Sequence, residues 1–345
     1  MQNTKSAVQP EPGPRPLSRN DQVVARYLEE HSAAFRKVRE ARLKYTKGDD
    51  HFRAGRAEAD EADANGQQRM HEKMSDVATE LHRMTQCFHL AIPQHEPSAV
   101  LDLCMAPGAF FLHALDANGG AFGTTYTLPM ELGGHETLLP TRMLNRMTLR
   151  ELDLNLLAAN RGLAEEDIPD EHLGKGHLRP LELVDVGRPL DIAICDGAVK
   201  RTHRRVIAYY RQDTEEFRLQ LVQLALALGH LKTGGTIIVR LHQIDHWHTV
   251  KLRYLLSKFA QFKAHKLTVA HQVKSSFYVV ATEVDSECAD ALKAVESWKA
   301  GWRAATLMKE GEHAAYLEQF DLDPDIVLQE FGQRHVELGE QVWKV

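Results

Sequence analysis

Short apolar runs alternate with amphipathic stretches from Ser98 to Thr282, and this alternation restricts the chain to few folds. Strand-length runs separated by helical segments predict a mostly parallel sheet with helices on both faces, an α/β fold. Only a few polar residues separate the last two runs, which indicates a hairpin and an antiparallel edge. The candidate strands are Ala99–Cys104, Phe122–Leu128, Leu190–Cys195, Thr236–Leu241, Lys266–Ala270 and Phe277–Thr282.

The connections between these runs differ in how clearly they indicate structure. Asp213–Leu231 and Trp247–Phe262 have helical spacing of apolar residues. Leu132–Arg188 is too long for a plain connection and predicts helical insertions, with only a weak strand near Leu181–Val184.

The pattern divides the chain into four parts. Residues 1–20, polar and rich in proline, predict a disordered tail, and residues 21–95 predict a helical N-terminal extension. Within that extension, Lys47–Gln68 fits either a loop or a frayed helix. Residues 96–284 form the α/β domain, and residues 285–345 predict a helical C-terminal extension with a helix start at Asp323-Pro324. Trp298 and Trp302, one helical turn apart, predict packing in the core.

Composition excludes several classes of protein. With 43% hydrophobic and 26% charged residues the chain is not mainly disordered, and its net charge of -6 gives no overall basic field for nucleic acid. The longest apolar stretch, Leu219–Leu231, is too short to span a bilayer, which needs ~20 residues. The four cysteines lack metal or redox spacing, so we expect no metal site, reduced thiols and an intracellular, cytoplasmic or nuclear protein.

The first strand runs into a turn of small residues that is suited to a ligand. Gly108 allows a positive φ or a close approach of the backbone, and Pro107 makes the turn sharp. The amide groups that begin the next helix then face the bound molecule, although an ordinary strand-to-helix turn has the same composition.

Two later strands also end in polar residues. Asp196 and Gly197 follow the third candidate strand, and Arg240 ends the fourth. Ligands of open parallel sheets bind beyond the carboxyl ends of the strands, so an acid and a base there predict a reaction centre. Taken singly, Asp196 also fits a helix cap and Arg240 a surface ion pair.

These segments resemble the FtsJ-like family of S-adenosylmethionine-dependent methyltransferases, which methylate ribose 2′-hydroxyls of RNA. The run Leu101-Asp-Leu-Cys-Met-Ala-Pro-Gly-Ala-Phe110 is similar to the cofactor loop of the family, and Cys195-Asp-Gly-Ala198 to its catalytic aspartate segment. Lys266–Tyr278 is similar to the family's closing hairpin, which begins with lysine and ends Glu-x-Tyr. The resemblance covers roughly Arg69–Thr282 and implies the Rossmann-like sheet of class I methyltransferases.

The resemblance also implies the residues that hold S-adenosylmethionine. The loop and its neighbours supply Asp102, Cys104, Ala106, Pro107, Gly108, Phe110 and Asp196. The acid that usually holds the cofactor ribose is missing after the second strand, where Thr125 or Tyr126 can make a weaker, neutral hydrogen bond. Asp153 is the candidate for an adenine contact.

The catalytic set of the family is Lys, Asp, Lys, Glu, and the matching positions here are Lys73, Asp196, Arg240 and Ser276. A lysine amine that is held neutral can take the hydroxyl proton during attack on the methyl group. Arg240 cannot lose a proton near neutral pH, so it can orient a substrate or stabilise an alkoxide but cannot act as the base. Ser276 removes a charge that would tune the other groups.

A basic segment follows Asp196. Its cations, mixed with Tyr209 and Tyr210, fit phosphate contact and base stacking, and equally a solvated loop that leads into a helix. The candidate substrate residues are Lys200, Arg201, Arg204 and Arg205. RNA is therefore an expected partner.

Three functions follow from the sequence. The first is methyl transfer to an RNA ribose. The second is a catalytically silent relative that binds RNA or a partner protein through its helical extensions, which the changes at Arg240 and Ser276 favour. The third is methyl transfer to a different substrate. The acceptor and the oligomeric state are left open.

Overall fold

Seven strands form one sheet in the order β3-β2-β1-β4-β5-β7-β6. A computed structural model of the chain describes residues 18–44, 64–90, 98–157, 162–172, 175–178, 189–199, 214–271, 275–309, 312, 316 and 321–343. The strands are β1 (Ala99–Leu103), β2 (Phe122–Thr127), β3 (Met147–Glu151), β4 (Leu190–Cys195), β5 (Leu231–His242), β6 (Gln261–His265) and β7 (Ser276–Val284). The first five strands in this order, from β3 through β2, β1 and β4 to β5, pair in parallel. Strand β7 runs antiparallel to its two neighbours, β5 and β6. The predicted fold class is confirmed.

Helices cover both faces of this sheet because its central strands are apolar on both sides. Every residue of β1 and β4 is buried. The helices are α1 (Arg19–His31), α2 (Ala33–Lys44), α3 (Ala64–Thr85), α4 (Ala109–Ala117), α5 (Glu215–His230), α6 (Trp247–Leu256), α7 (Thr268–His271), α8 (Ala289–Leu307) and α9 (Pro324–Val342).

Each face has its own core. On one face, which we call the α3–α4 face, Val77 and Leu81 of α3 and Phe111 of α4 pack with Val100 and Ile194 of the sheet. On the other face, which we call the α5–α6 face, helices α5, α6, α8 and α9 pack against the alternate strand residues. None of the helices in the described ranges is long and apolar enough to cross a membrane.

Two predicted elements near the end of the sheet are wrong. The strand expected at Lys266–Ala270 lies instead at Gln261–His265, and the helix expected to reach Phe262 ends at Leu256. Strand β6 is exposed at Gln261 and Lys263, so its sequence resembles a continuation of the amphipathic helix before it. The short helix α7 takes the predicted place because Glu80 of α3 accepts hydrogen bonds from its first backbone N–H groups, a contact invisible to local pattern.

The segment Leu132–Arg188 contains a strand, β3, that the sequence pattern did not predict. Strand β3 lies at the edge of the sheet and is only partly buried, so it lacks a continuous apolar run. Short 3₁₀ helices, including Thr141–Arg146 and Leu154–Leu156, flank it. The weak strand expected at Leu181–Val184 lies outside the described residues.

The terminal helices begin at capping residues. Ser18 and Asp21 form a capping box at the start of α1, so the predicted tail is too long by Ser18, Arg19 and Asn20. Asp323 caps α9 with Pro324 in its first turn, as predicted. The boundaries at residues 95 and 285 stay predictions, and α3 shares a core with the sheet.

Trp298 and Trp302 are buried in the core, as predicted. For Lys47–Gln68, which fitted either a loop or a frayed helix, the structure describes residues 64–68, and these form the first part of α3.

Candidate active site

The loop after β1 is fixed to the end of β2. Cys104 has a positive φ of 95°, and the N–H groups of Cys104 and Met105 both donate to the carbonyl of Tyr126, at 3.0 and 2.8 Å. Cys104 and Ala106 are half-buried and Pro107 is buried. The turn therefore has one defined shape at the carboxyl end of the sheet.

Gly108 begins α4 with a φ of +118°, a conformation that L side chains rarely adopt. A Cβ atom here would lie 2.7 Å from Cδ2 of Leu139, so the close approach that requires glycine is made by the chain itself. The N–H of Leu138 also donates to the carbonyl of Pro107 at 2.9 Å. On the other side of the loop, Sγ of Cys104 lies close to Gly197.

Four side chains from four strand ends share the α3–α4 face. Their strand neighbours two residues away lie in the core of that face, and side chains alternate along a strand. The four are Asp102 from β1, Asp196 directly after β4, Arg240 from β5 and Tyr278 from β7.

Asp196 lies between Arg240 and Tyr278. Its Oδ1 is 2.9 Å from Nε of Arg240, and the Tyr278 hydroxyl donates to its Oδ2 at 3.1 Å. The N–H of Arg240 is misaligned for a hydrogen bond, so the pair is an ion contact with both atoms buried. Tyr278 opposes Arg240 in the β5–β7 ladder and stacks on Phe110, with ring centroids 5.4 Å apart. Phe110, predicted as a cofactor contact, thus also supports this cluster.

Two buried carboxyls give the site its electrostatic character. Burial raises the pKa of Asp196, and Arg240 and Tyr278 offset only part of that effect. Burial and then the charge of Asp196 raise the pKa of Asp102 well above its usual range. A cation bound beside them would favour their ionised forms.

Arg240 stays charged. Burial opposes its charge, but the carboxylate of Asp196 and further negative groups raise the net pKa of the guanidinium. The Arg240 side chain is 17% exposed, so the guanidinium is largely buried beside Asp196.

Ser276 lies near this cluster, at the start of β7. It is 1% exposed, opposes His242 in the ladder, and its carbonyl accepts from Nζ of Lys266 at 3.1 Å. Strand alternation puts its side chain on the face of Tyr278. The predicted set Asp196, Arg240 and Ser276 therefore meets on one face.

Lys73 is exposed on α3 and makes no ion pair with Asp196 in the described part of the chain. It shares a helical stripe with Val77 and Glu80, and Oε1 of Glu80 accepts from the Thr268 hydroxyl at 2.8 Å. That stripe faces the β6–β7 connection. No contact among the described residues brings Lys73 to Asp196 or Arg240, and its catalytic role stays a prediction.

Polar groups also lie at and beyond the carboxyl ends of β2 and β3, where the sequence predicts contacts with the cofactor's nucleoside. The Thr125 hydroxyl donates to the carbonyl of Thr148 at 3.3 Å, so it already serves the sheet. Asp153 accepts from the N–H of Asn155 at 3.0 Å. The Tyr126 hydroxyl and both amide atoms of Asn155 are buried, and the described residues give them no partner.

These observations test the fit of S-adenosylmethionine. Its sulfonium and ammonium charges suit Asp102 and Asp196, and its nucleoside hydroxyls and amino group suit the unpartnered atoms of Tyr126 and Asn155. The donor set therefore fits the cofactor.

Sequence reasoning missed Asn155 and Tyr278 as site residues. Tyr278 ends the hairpin that resembles the family, which was a usable signal. For Asn155 the sequence offered no signal, because the position of this residue depends on how the preceding strand β3 pairs with the sheet. The predicted substrate residues Lys200, Arg201, Arg204 and Arg205 lie outside the described residues.

Solved methyltransferases share low similarity with the chain. An rRNA methylase from Streptococcus thermophilus is 12% identical over 60% of this chain and 97% of its own, with a TM-score of 0.35. An O-methyltransferase family protein from Burkholderia thailandensis is 12% identical over 63% of this chain, with a TM-score of 0.33. This chain covers only 57% of that protein. The N-methyltransferase NodS from Bradyrhizobium japonicum is 12% identical over 61% of this chain and 96% of its own, with a TM-score of 0.35.

A search of curated proteins found no match. Residues 78–284, more than half of the chain, match the FtsJ-like methyltransferase family. The matched segment contains the β1 loop, Asp196, Arg240 and Tyr278. The chain therefore belongs to the FtsJ-like methyltransferase family and is an S-adenosylmethionine-dependent methyltransferase.

Proposed function

We propose that the chain transfers a methyl group from S-adenosylmethionine to a ribose 2′-hydroxyl of RNA. The observation that carries the proposal is the contact of Asp196 with Arg240 and Tyr278, because it joins two of the four positions that match the family's catalytic set, and the charge of Asp196 also acts on Asp102. The guanidinium of Arg240 keeps its charge, and a planar cation suits the phosphate that adjoins a 2′-hydroxyl in RNA.

The residues of the site have separate tasks in this reaction. S-adenosylmethionine, when bound, supplies a methyl group on a positively charged sulfur. Asp102 and Asp196 hold that charge at the strand ends, while Arg240 holds the acceptor and stabilises negative charge on its oxygen. Tyr278 keeps Asp196 in place through its hydroxyl, and Phe110 keeps the Tyr278 ring in place.

The experiment supplies methyl-labelled cofactor and a broad RNA mixture to the full chain. Label is expected in fragments that resist alkali, because a methylated 2′-oxygen cannot cleave the neighbouring phosphodiester. A DNA mixture is the matched control and should stay unlabelled. Asp196→Asn should lower incorporation by about 10²-fold or more. Label in alkali-sensitive mononucleotides, or in the DNA, would contradict ribose specificity.

A catalytically silent, RNA-binding or partner-binding protein is the second candidate. The presence of Arg240 and Ser276 at positions of the family's lysine and glutamate favours it. Calorimetric binding of the cofactor together with no label in RNA, protein or small-molecule acceptors would support this candidate. Label in a non-RNA acceptor would support a methyltransferase with another substrate.

We also propose an intracellular location. The four cysteines, Cys87, Cys104, Cys195 and Cys288, are free thiols, which fits a reducing compartment.

A further inference from the structure

His242 ends β5 two residues beyond Arg240. Strand alternation puts both side chains on the α3–α4 face, and His242 opposes Ser276 in the ladder with β7. Its side chain is 38% exposed, so an acceptor can reach the imidazole. The Thr249 hydroxyl donates to the carbonyl of His242 at 2.8 Å and fixes the end of the strand.

A carboxylate from α5 lies beside this imidazole. Oε1 of Glu216 is 3.8 Å from Nε2 of His242, and the charge of Glu216 also contributes to the raised pKa of Arg240. Glu216 therefore lies near both side chains at the opening of the site. A carboxylate in this position stabilises an imidazolium once it forms.

Charged groups on the described elements near the end of β5 include the following. Arg240 lies on its own strand and Asp196 follows β4. Lys266 lies at the Ser276 carbonyl, and Asp245, in the turn after β5, pairs with Arg42 of α2. Among the described residues, Glu216 is a carboxylate that lies within ion-pair distance of the His242 ring.

The alternative proton acceptors are less suited. Arg240 stays charged, and both oxygens of Asp196 are in contact with a partner. Burial lowers the pKa of Lys266 to about 8, but continuing the β6–β7 register puts Lys266 beside Phe277, on the α5–α6 face. Among the described residues Lys73 makes no ion pair at the site, whereas His242 lies on the strand that carries Arg240.

We propose that His242 accepts the proton of the methyl acceptor, in the role that the resemblance assigns to a lysine. The proposal rests on the proposed function. The acceptor O–H bond breaks, its proton moves to the imidazole, and the oxygen bonds to the methyl carbon. The carbon–sulfur bond breaks with its electron pair going to sulfur, which leaves S-adenosylhomocysteine and a 2′-methoxy group. The imidazolium, beside Glu216, returns its proton to water.

The test measures kcat/KM for labelling of RNA against pH in four forms of the full chain. The kcat/KM of wild type should rise with pH as one group loses its proton, and then level off; this rising part is the limb of the profile. His242→Gln should lose that limb and fall by about 10²-fold to 10⁴-fold on the plateau. Glu216→Gln should move the limb to lower pH, because a carboxylate favours the charged imidazole. His177→Gln, at an exposed histidine outside the site, should match wild type.

Chemical rescue separates catalysis from a structural role. Added imidazole should restore part of the activity of His242→Ala but not that of Asp196→Asn, and His242→Ala should keep the wild-type melting temperature and cofactor affinity. A His242→Gln profile that superimposes on wild type would overturn the proposal, as would loss of the limb in Lys73→Met alone. Wild type that binds cofactor but labels no RNA would instead overturn the proposed function, and the proton step with it.

Discussion

At the scale of single residues, the chemistry of the site depends on charges buried where water cannot screen them. Asp102 is 3% exposed and lies close enough to Asp196 for their charges to repel. In the unliganded protein this repulsion is a cost, and a bound sulfonium relieves it. Stability and cofactor affinity are thus coupled through the same two carboxyls.

Asp102→Asn tests that coupling. The folded pKa of Asp102 is raised, so the ionised carboxyl destabilises the fold increasingly as pH rises above the unfolded value. At neutral pH we expect the variant to gain about 1–3 kcal/mol in urea unfolding and to bind S-adenosylmethionine more weakly in calorimetry. Asp116→Asn, in an exposed ion pair with Arg142, is the control and should change neither. Unchanged cofactor affinity in Asp102→Asn would argue against the assignment.

Gly197→Ala tests the close packing beside the cofactor loop. The new Cβ would lie 2.5 Å from Sγ of Cys104 and 2.7 Å from Oε1 of Gln223, which accepts from the Gly197 N–H. We expect a loss of about 1–3 kcal/mol in stability, together with weaker cofactor binding as Cys104 shifts. Gly119→Ala meets no atom within 4 Å and should behave as wild type in both assays. Equal behaviour of the two variants would show that the loop is not constrained at Gly197.

At the scale of elements, contacts between segments that are distant in sequence determine where some helices and strands form. Glu80 of α3 caps α7, and this contact between residues 188 apart in sequence fixes the connection before β7. Local periodicity therefore predicted β1, β2, β4 and β7 well, since each is a buried apolar run. It missed β3 and displaced β6, since both are edge strands with half-exposed faces.

The α6–α9 interface predicts a pH-dependent stability. His335 of α9 is fully buried, and burial followed by the charge of Arg253 lowers its pKa well below the usual range. Because the unfolded chain binds this proton more readily, stability should fall as pH drops below about 6.5. His335→Leu should lose less stability than wild type between about pH 7.5 and about pH 5 in urea unfolding. His177→Leu, at an exposed site, should keep the wild-type dependence, and an unchanged slope in His335→Leu would refute the account.

At the scale of the whole molecule, both terminal regions form hydrogen bonds with α6, the helix that follows β5. Asp21 of α1 accepts from the N–H of Trp247 at 2.7 Å, at the start of α6. Asp321, before α9, accepts from Nζ of Lys251 at 2.6 Å and from the Trp247 indole. These contacts lie on the α5–α6 face, away from the candidate site.

Asp321→Asn should therefore affect stability and leave cofactor binding intact. Loss of the charge at a carboxyl that is 10% exposed weakens its bonds to Lys251 and Trp247, so we expect a loss of about 1–3 kcal/mol in thermal unfolding. Asp323→Asn is the matched control, because asparagine caps a helix as well as aspartate does. A change in cofactor affinity in Asp321→Asn would show that the terminal helices reach the site.

By itself the sequence determined the α/β alternation, the glycine turn at Gly108 and the polar residues Asp196 and Arg240 at strand ends. Each of these is local, because backbone freedom, apolar spacing and side-chain charge act within a few residues. The tertiary structure decided which of them meet. Strand order and side-chain alternation put Tyr278 on Asp196 and His242 opposite Ser276, and only the folded core raises the pKa of Asp102. Burial and charge proximity are sums over distant segments, so no local pattern contains them.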